Sequence, residues 1–590
     1  MDDFLKKRLV PPPVQENGST KESLDTWGFA DTQFRFNHQG NLELTGKHYP
    51  LCEEELPYLL PWISKVMEFA VDPKEVHASH YPTEIPSPIV NESFFSDLQK
   101  NFSPNQWTQE PNIRLRHGHG HTQHEMYAIK YGQLGRVPDL VLYPAAQEEV
   151  TKLVALANQH NVCLIPYGGG TSVTQALQCP DNETRMIVSV DMKRMNRILW
   201  VDPVNRIACI EAGAVGRHLS EQLAKTGFTL GHEPDSIEFS TLGGWIATHA
   251  SGMKKNKYGN IEDIVLDFNV VTANGDLKRS SVAPRESVGA DPRLWLFGSE
   301  GNFGIITQAI VKIFPLPETQ KYGSVIFPTF EEGFHFMYEL SATDAIPASV
   351  RLVDNMQFQF GQALKPRKQG LPILKSRLEK FFVTKIKGFD PEKMVACTLV
   401  FEGSASEVAR QEQAVYRIAK QHGGMKAGAE NGRRGYQLTF SIAYIRDFVM
   451  KHYVIAESFE TSVPWSQALS LCENVKRRLH EECSRRQIPG KPFVTCRLTQ
   501  IYETGVCIYF YFGFRHKGIE NPSQVYGEIE EMAREEILTS GGSLSHHHGI
   551  GKLRQKFLKD IQSEETLRWK REVKRAIDPK NIFGASNQSL

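Results

Sequence analysis

The sequence predicts an α+β protein of two principal domains, on three observations. Residues 138–168 read as strand, helix, strand. Three loops rich in glycine and hydroxyl residues fall between positions 166 and 307. From about 319 to 560, amphipathic helices alternate with apolar strands. The segment "PLPE" at 315–318 marks the boundary. The chain then divides into a leader with short helical and loop pieces at 1–133, a first domain at 134–316, a second at 317–560, and a tail at 561–590 that returns to the first.

The elements of the first domain follow in order. "PDLVLYP" (138–144) is a short apolar run suited to a buried strand, and "AAQEEVTKLVALANQH" places Val150, Leu153, Val154 and Ala157 at helical spacing. "VCLIPYG" (162–168) is the next strand, and this βαβ unit favours parallel pairing. "RMIVSVD", "RIACIEAGA", "DIVLDFNVVTANGDLKRS" and "FGIITQAIVKIFPLP" supply further strands, with a tight hairpin at Ala273-Asn274-Gly275-Asp276. In the second domain, helices are expected near 330–340, 371–382, 404–422, 466–485 and 523–538, among strands such as "VACTLVFEG" and "GVCIYFYFGF". "RHGHGHTQHEMYAIKYG" (116–132), with His117, His119, His121 and His124, reads as a polar loop entering a domain, because Gly-His alternation puts no fixed ligand face on a helix.

Composition narrows the function classes. Lys+Arg and Asp+Glu number 68 each, so no global field recruits nucleic acid. Nine scattered cysteines, never spaced as CxxC, argue against a disulfide framework or a zinc ribbon and for a reducing compartment. No window approaches 18 uninterrupted apolar residues, so no transmembrane helix is expected.

Chemistry concentrates in the loops. Pro166-Tyr167-Gly168-Gly169-Gly170-Thr171-Ser172 follows a buried strand directly, and three residues without Cβ let successive N–H groups close on a pyrophosphate. The loop lacks GxGxxG and GxxxxGK[ST], which removes the nicotinamide and Walker readings. Alone it is compatible with a simple turn. "GHEPDSIEFSTLGGWIATHASGMKKNKYGNIED" (231–263) and "GSEGNFGIIT" (298–307) repeat the theme. Three such loops suit a long dinucleotide such as FAD.

These three motifs resemble the PCMH-type FAD-binding domain of the vanillyl-alcohol-oxidase family. With "VRLVDNMQFQFGQALKP", "YIRDFV", "CIYFYFGF" and "SLSHHHGIGKLR", the resemblance narrows to the alkyldihydroxyacetonephosphate synthase family, over roughly residues 40–590. It implies a two-subdomain flavin domain, a substrate cap and noncovalent FAD. It also implies a non-redox exchange in which a long-chain fatty alcohol replaces the acyl group of acyl-dihydroxyacetone phosphate through a transient bond from flavin N5 to the substrate. The cofactor residues implied are Pro166 to Ser172, then Asp235, Ser236, Ile237, Glu238, Phe239, Ser240 and Thr241. Thr248, His249, Ala250 and Ser251 follow, then Glu300, Gly301, Asn302, Phe303, Gly304, Ile305 and Ile306. The family's pattern differs at His249 (Arg), at Asn302-Phe303 (Thr-Leu) and at Tyr167 (aliphatic).

Tyr509 matches the family's proton-transfer residue, and period-2 alternation puts Tyr509 and Tyr511 opposite Phe510 and Phe512. His546, His547 and His548 would surround the reacting head group and lower the tyrosine pKa. Three adjacent residues rarely direct three nitrogens to one point, so no metal is expected. Arg446 matches the family's substrate-binding arginine and Arg351 another needed for activity; a structural ion pair is the alternative for each. The resemblance further implies a homodimer in peripheral membrane contact on the luminal side of peroxisomes. "ALKPRKQGLPILKSRLEKFFVTKIKG" (363–388) is an interfacial candidate, though a solvated helix face fits equally. "RLVPPPVQE" and the terminal Gln-Ser-Leu only approach peroxisomal addresses. Two other functions stay open: a flavin oxidase or dehydrogenase of a hydroxy acid, and an inactive flavin-fold protein that binds lipid phosphates.

Overall fold

The computed structural model describes residues 8–13, 21–81, 84–132, 134–279, 281–367 and 382–590. The helix expected near 371–382 and most of the basic-apolar segment 363–388 lie outside the described residues.

The first sheet is small and largely parallel. Its order is Trp107–Thr108, Leu140–Leu142, Ile187–Asp191, Cys163–Tyr167. The expected βαβ unit forms, with the helix at Gln147–His160, but its strands are not neighbours. Ile187–Asp191 inserts between them, parallel to both. Such strands are buried on both faces, which is why "LVL" and "IVSVD" read as continuous rather than alternating. The tail supplies part of the cover: Ile582 and Phe583 are fully buried in the cluster around this sheet, and Leu164 N–H donates to Ile582 O at 2.7 Å.

The second sheet is antiparallel, ordered Gly275–Leu277, Val265–Thr272, Ile305–Lys312, Ile207–Glu211, Ile198–Asp202. The hairpin turns on Ala273-Asn274, because Thr272 pairs with Gly275, whose φ of +123° suits glycine.

The third sheet has seven strands and carries the largest core. Its order is Met425–Lys426, Thr319–Phe327, Val395–Gly403, Ser349–Val353, Phe493–Ile501, Gly505–Arg515, Val454–Pro464. Helices Phe330–Ser341, Ala405–Gln421, Trp465–Arg485 and Pro522–Thr539 send apolar residues to the core on one face. Each matches a stretch whose apolar residues recur at helical spacing.

Against the other face lies Ala429–Lys451, a helix that sequence periodicity does not reveal. It packs in three directions at once. Gly432 lies against Gly323 backbone, Tyr444, Ile445, Phe448 and Val449 join the cluster built by residues 29–67, and Phe440, Ala443 and Arg446 line a cavity. A helix enclosed on several sides has no single apolar stripe.

The histidine-rich segment 116–132 is not a polar loop. Helix Pro111–His117 precedes a turn to Gln123–Tyr131, which opens with a capping box. Glu125 N–H donates to Thr122 Oγ1, and Thr122 N–H donates to the Glu125 carboxylate. Thr122 and Glu125 are the T-x-x-E pattern that marks this helix start in the sequence. His117, His119 and His121 are buried.

Candidate active site

A cavity of about 410 Å³ lies where the three sheets meet. The loop after Cys163–Tyr167 forms one wall. Pro166, Tyr167, Gly168, Gly169, Gly170, Thr171 and Ser172 all line the cavity. The amides of Gly169, Gly170, Thr171 and Ser172 donate to no group among the described residues. Four consecutive free N–H groups beside a cavity form an anion cradle. Gly169 is glycine for a steric reason: a Cβ there would overlap Phe239 O and sit 2.9 Å from Ser240 Cα, both backbone.

The other two loops face the first. Asp235, Ser236, Ser240, Thr241, Thr248, Ala250 and Ser251 line the cavity, as do Glu300, Gly301, Gly304, Ile305 and Ile306. Ser251 Oγ is buried without a partner there. The free amides and this hydroxyl fit the pyrophosphate and polar edges of a bound dinucleotide.

Several residues of the same motifs lie outside the lining. Glu238 accepts from Tyr49 OH at 2.6 Å, Phe239 packs in the cluster of residues 29–67, and Ile237 lies beside Gly216. Asn302 is fully buried and donates to Asn587 O at 3.0 Å, and Phe303 is core of the antiparallel sheet. His249 turns to the surface, 3.3 Å from Glu262, and lines a separate smaller cavity. Glu300 also braces the fold. Its carboxylate accepts the amides of Ile550 and Gly551 at 3.0 Å and the Gln588 side chain at 2.8 Å.

The opposite wall comes from the seven-stranded sheet. Tyr509 and Tyr511 line the cavity, while Phe510 and Phe514 are fully buried in the core behind and Phe512, also core, touches the cavity edge. Tyr509 OH lies 2.6 Å from His547 Nε2 and 3.3 Å from His548 Nε2. Arg497, opposite Tyr509 in the ladder, sets its guanidinium 4.4 Å from the Tyr509 ring.

The histidine loop is positioned by its surroundings. Helix Pro522–Thr539 ends in Gly541, φ +80°, with Gly542 N–H donating back to Ile537 O. Glu460, Tyr509's partner on the other neighbouring strand, accepts Ser545 Oγ at 2.8 Å and the amides of His546 and His548 at 2.5 and 3.0 Å. Arg554 stands 3.4 Å from the same carboxylate. Burial raises the Glu460 pKa, but the three histidines and Arg554 outweigh it and hold the carboxyl well below its ordinary range.

This arrangement sets a stability prediction. Glu460→Gln leaves Arg554 buried without its counter-charge and should destabilise the protein by about 3 kcal/mol at neutral pH, read by thermal or urea unfolding. A depressed carboxylate pKa stabilises above the unfolded value and ceases to do so as pH falls through the folded one. The gap between wild type and variant should therefore narrow below about pH 4.5.

The environment does not lower the Tyr509 pKa as the sequence reading expected. Burial, and then Asp235, push it well above 10, with Arg497 opposing. Burial also lowers all three histidines, His546 to about 3. At neutral pH the cluster is a phenol among neutral imidazoles. Cys507 Sγ, His546 and His547 come within 4.8 Å of one another. However, all four nitrogens of these two histidines are engaged in contacts of 2.6–2.7 Å.

Arg446 lines the cavity. Its Nη1 donates to His121 O at 2.5 Å and its guanidinium is ion-paired with Asp447 at 3.6 Å and Glu457 at 3.8 Å, the structural pairing the sequence left open, whereas Nε and Nη2 are buried without hydrogen-bond partners. Arg351 lies one layer back, donating to Thr439 Oγ1 at 2.5 Å. His546 faces the smaller cavity. The cavity also has an apolar stretch lined by Trp62, Ile63, Met67, Phe360, Phe448 and Phe493, in which the Trp62 ring packs on Phe360 and Phe493 at centroid distances of 5.4 and 6.0 Å. Trp27, His121, Glu457, Glu460 and Arg497 belong to the site and were missed. All but the capping-box neighbour His121 sit in ordinary sequence, brought in by strand register or chain return.

Residues 138–281 match the family described as an FAD binding domain, and residues 316–587 match FAD linked oxidases, C-terminal domain. The chain is 43% identical to alkyldihydroxyacetonephosphate synthase of Caenorhabditis elegans, over 95% of this chain and 94% of that one. The chain belongs to the alkyldihydroxyacetonephosphate synthase family. The synthase of Trypanosoma brucei brucei is 33% identical, over 98% and 93%. A solved alkyldihydroxyacetonephosphate synthase superposes with a TM-score of 0.84 at 29% identity, covering 96% of this chain and 99% of that one. p-Cresol methylhydroxylase, at 16% identity and a TM-score of 0.62 over 84% and 96%, shares the fold. This member of the synthase family is thus an FAD-dependent enzyme, with a two-subdomain PCMH-type flavin domain and an α+β cap. The unpartnered loop amides are where FAD fits.

Proposed function

We propose that this protein exchanges the acyl group of acyl-dihydroxyacetone phosphate for a long-chain fatty alcohol, giving the alkyl ether and a fatty acid without net redox change. One observation carries the reading: a single cavity joins the dinucleotide cradle, a phenol bound to two imidazoles, a buried arginine with two nitrogens outside any hydrogen bond, and an apolar arm. Bound FAD supplies an electron-poor ring that withdraws electron density from the three-carbon substrate.

The chain's own residues do the rest. Arg446 offers Nε and Nη2, neither in a hydrogen bond, to the substrate's phosphate or to the departing carboxylate. Tyr509, acting as phenolate, takes a proton from the carbon beside the ketone, passes it on before it takes the alcohol's proton, and the carbon regains a proton as the ether forms, while His547 and His548 hold the tyrosine oxygen in place. The apolar arm receives the acyl and alkyl chains and excludes water from the reacting carbon. Both substrates carry long chains, which favours work at a bilayer surface, and membership of the synthase family supports the luminal face of the peroxisome as its site. No helix among the described residues is long and apolar enough to cross a membrane.

The test is incorporation of labelled hexadecanol into the alkyl product by purified holoenzyme, with one fatty acid released per turnover. Electron delivery to an external acceptor instead would overturn the reading in favour of an oxidase. Within it, Arg446→Lys should reduce turnover by about tenfold or more with FAD content unchanged, because an ammonium does not reproduce the guanidinium fork. Unchanged kinetics would remove Arg446 from the site.

A further inference from the structure

Buried as it is, Tyr509 holds its proton tightly, yet the exchange needs it to give up and regain one. The structure supplies a route. His547 Nε2 lies 2.6 Å from Tyr509 OH, His547 Nδ1 lies 2.7 Å from His546 Nδ1, and His546 Nε2 lies 2.6 Å from the hydroxyl of Tyr502. Three successive contacts of hydrogen-bond length join a phenol inside the cavity to one outside its wall. Tyr502 is only partly buried.

Proton counting gives the chain a direction. Each neutral imidazole has one N–H and one bare nitrogen, so the Nδ1–Nδ1 contact requires opposite tautomers on the two rings. In one arrangement Tyr509 O–H donates to His547 Nε2, His547 Nδ1–H donates to His546 Nδ1, and His546 Nε2–H donates to the Tyr502 oxygen. Moving one proton along each bond, with Tyr502 releasing its own to water, reverses every bond. Tyr509 is left as phenolate, accepting from His547 Nε2–H, and both imidazoles are neutral again. One proton leaves the cavity and no bond between heavy atoms changes.

Burial holds the Tyr502 pKa above its ordinary value, so at the outer end Tyr502 releases its proton only as it accepts one from His546. Asn260 Nδ2 donates to the Tyr502 hydroxyl at 3.3 Å, and Lys255 Nζ lies 3.3 Å from the Tyr502 ring centroid. The half-exposed pair His249–Glu262 stands nearby; adding to burial, His249 helps to lower the His546 pKa and Glu262 helps to raise that of Tyr502, which keeps both groups neutral between transfers.

We propose that Tyr502, His546 and His547 form a proton relay that charges and discharges Tyr509 from solvent; the proposal rests on Tyr509 being the proton-transferring group. Tyr502 and His546 act through Tyr509 and touch no substrate.

The test uses Tyr502→Phe holoenzyme, which keeps the ring against Lys255 and removes only the relaying hydroxyl. The relay predicts a kcat lowered roughly 10–100-fold with KM and FAD content unchanged. Added imidazole should raise the variant's rate and leave the wild-type rate alone. A wild-type rate in Tyr502→Phe overturns the relay, and so does a low rate that ignores imidazole, which would mark a structural hydroxyl. Should Tyr502→Phe fail to bind FAD, His546→Gln is judged by the same criteria. Tyr509→Phe separates the two levels: full activity there overturns the site reading itself, whereas an inactive Tyr509→Phe beside a normal Tyr502→Phe overturns the relay alone.

Discussion

Tyr509→Phe is expected to slow the exchange by about 10²–10⁴-fold while the purified protein stays yellow with bound FAD. The substitution removes one oxygen and keeps the ring, so the contact with Arg497 and the packing of strand Gly505–Arg515 survive. What disappears is the atom that bridges the cavity to His547 and His548 at 2.6 and 3.3 Å. No other phenol takes its place: Tyr511 lines the same cavity but makes no hydrogen bond to the histidine loop among the described residues. Rate of labelled alcohol incorporation, measured beside the flavin absorbance spectrum, separates loss of the proton carrier from loss of the cofactor. An active Tyr509→Phe enzyme would return the tyrosine to a packing role.

The second large effect is on the cofactor itself. Gly169→Ala should weaken FAD binding by roughly 10–100-fold and give largely colourless protein. The added methyl meets Phe239 O and Ser240 Cα, both backbone, so neither a rotamer change nor a flexible tip can relieve the contact. Overpacking of this kind costs about 1–3 kcal/mol. That strain falls on two loops that both line the cavity, one of them carrying the free amides. Flavin content after purification and a titration with added FAD read the effect. Gly518→Ala, with no heavy atom within 4 Å of its Cβ but a φ of +82°, controls for backbone strain without crowding.

Much of the fold was legible along the chain. Val150, Leu153, Val154 and Ala157 mark Gln147–His160, and the apolar run 162–168 marks Cys163–Tyr167, because spacing over a few residues carries those signals. Helix Ala429–Lys451 was not legible, since its neighbours on three sides come from distant parts of the chain. The motif comparison placed the glycine loops, Tyr509 and Arg446 on one cavity wall or another. It also swept in Ile237, Glu238, Phe239, His249, Asn302 and Phe303, which share the motifs but point elsewhere, because a motif specifies a loop and not the direction of each side chain.

By itself, then, the sequence determined the α+β class, the glycine cradle, the alternation that separates Tyr509 from Phe510, and the membership of the flavin family. Each of these is written in residues close together in the chain. Only the tertiary structure decided that Glu460 anchors the histidine loop, that Arg446 keeps two nitrogens outside any hydrogen bond, that burial raises rather than lowers the Tyr509 pKa, and that Tyr502 ends a line of hydrogen bonds. Those facts depend on strand register, on desolvation and on contacts spanning tens to hundreds of residues, none of which leaves a local trace.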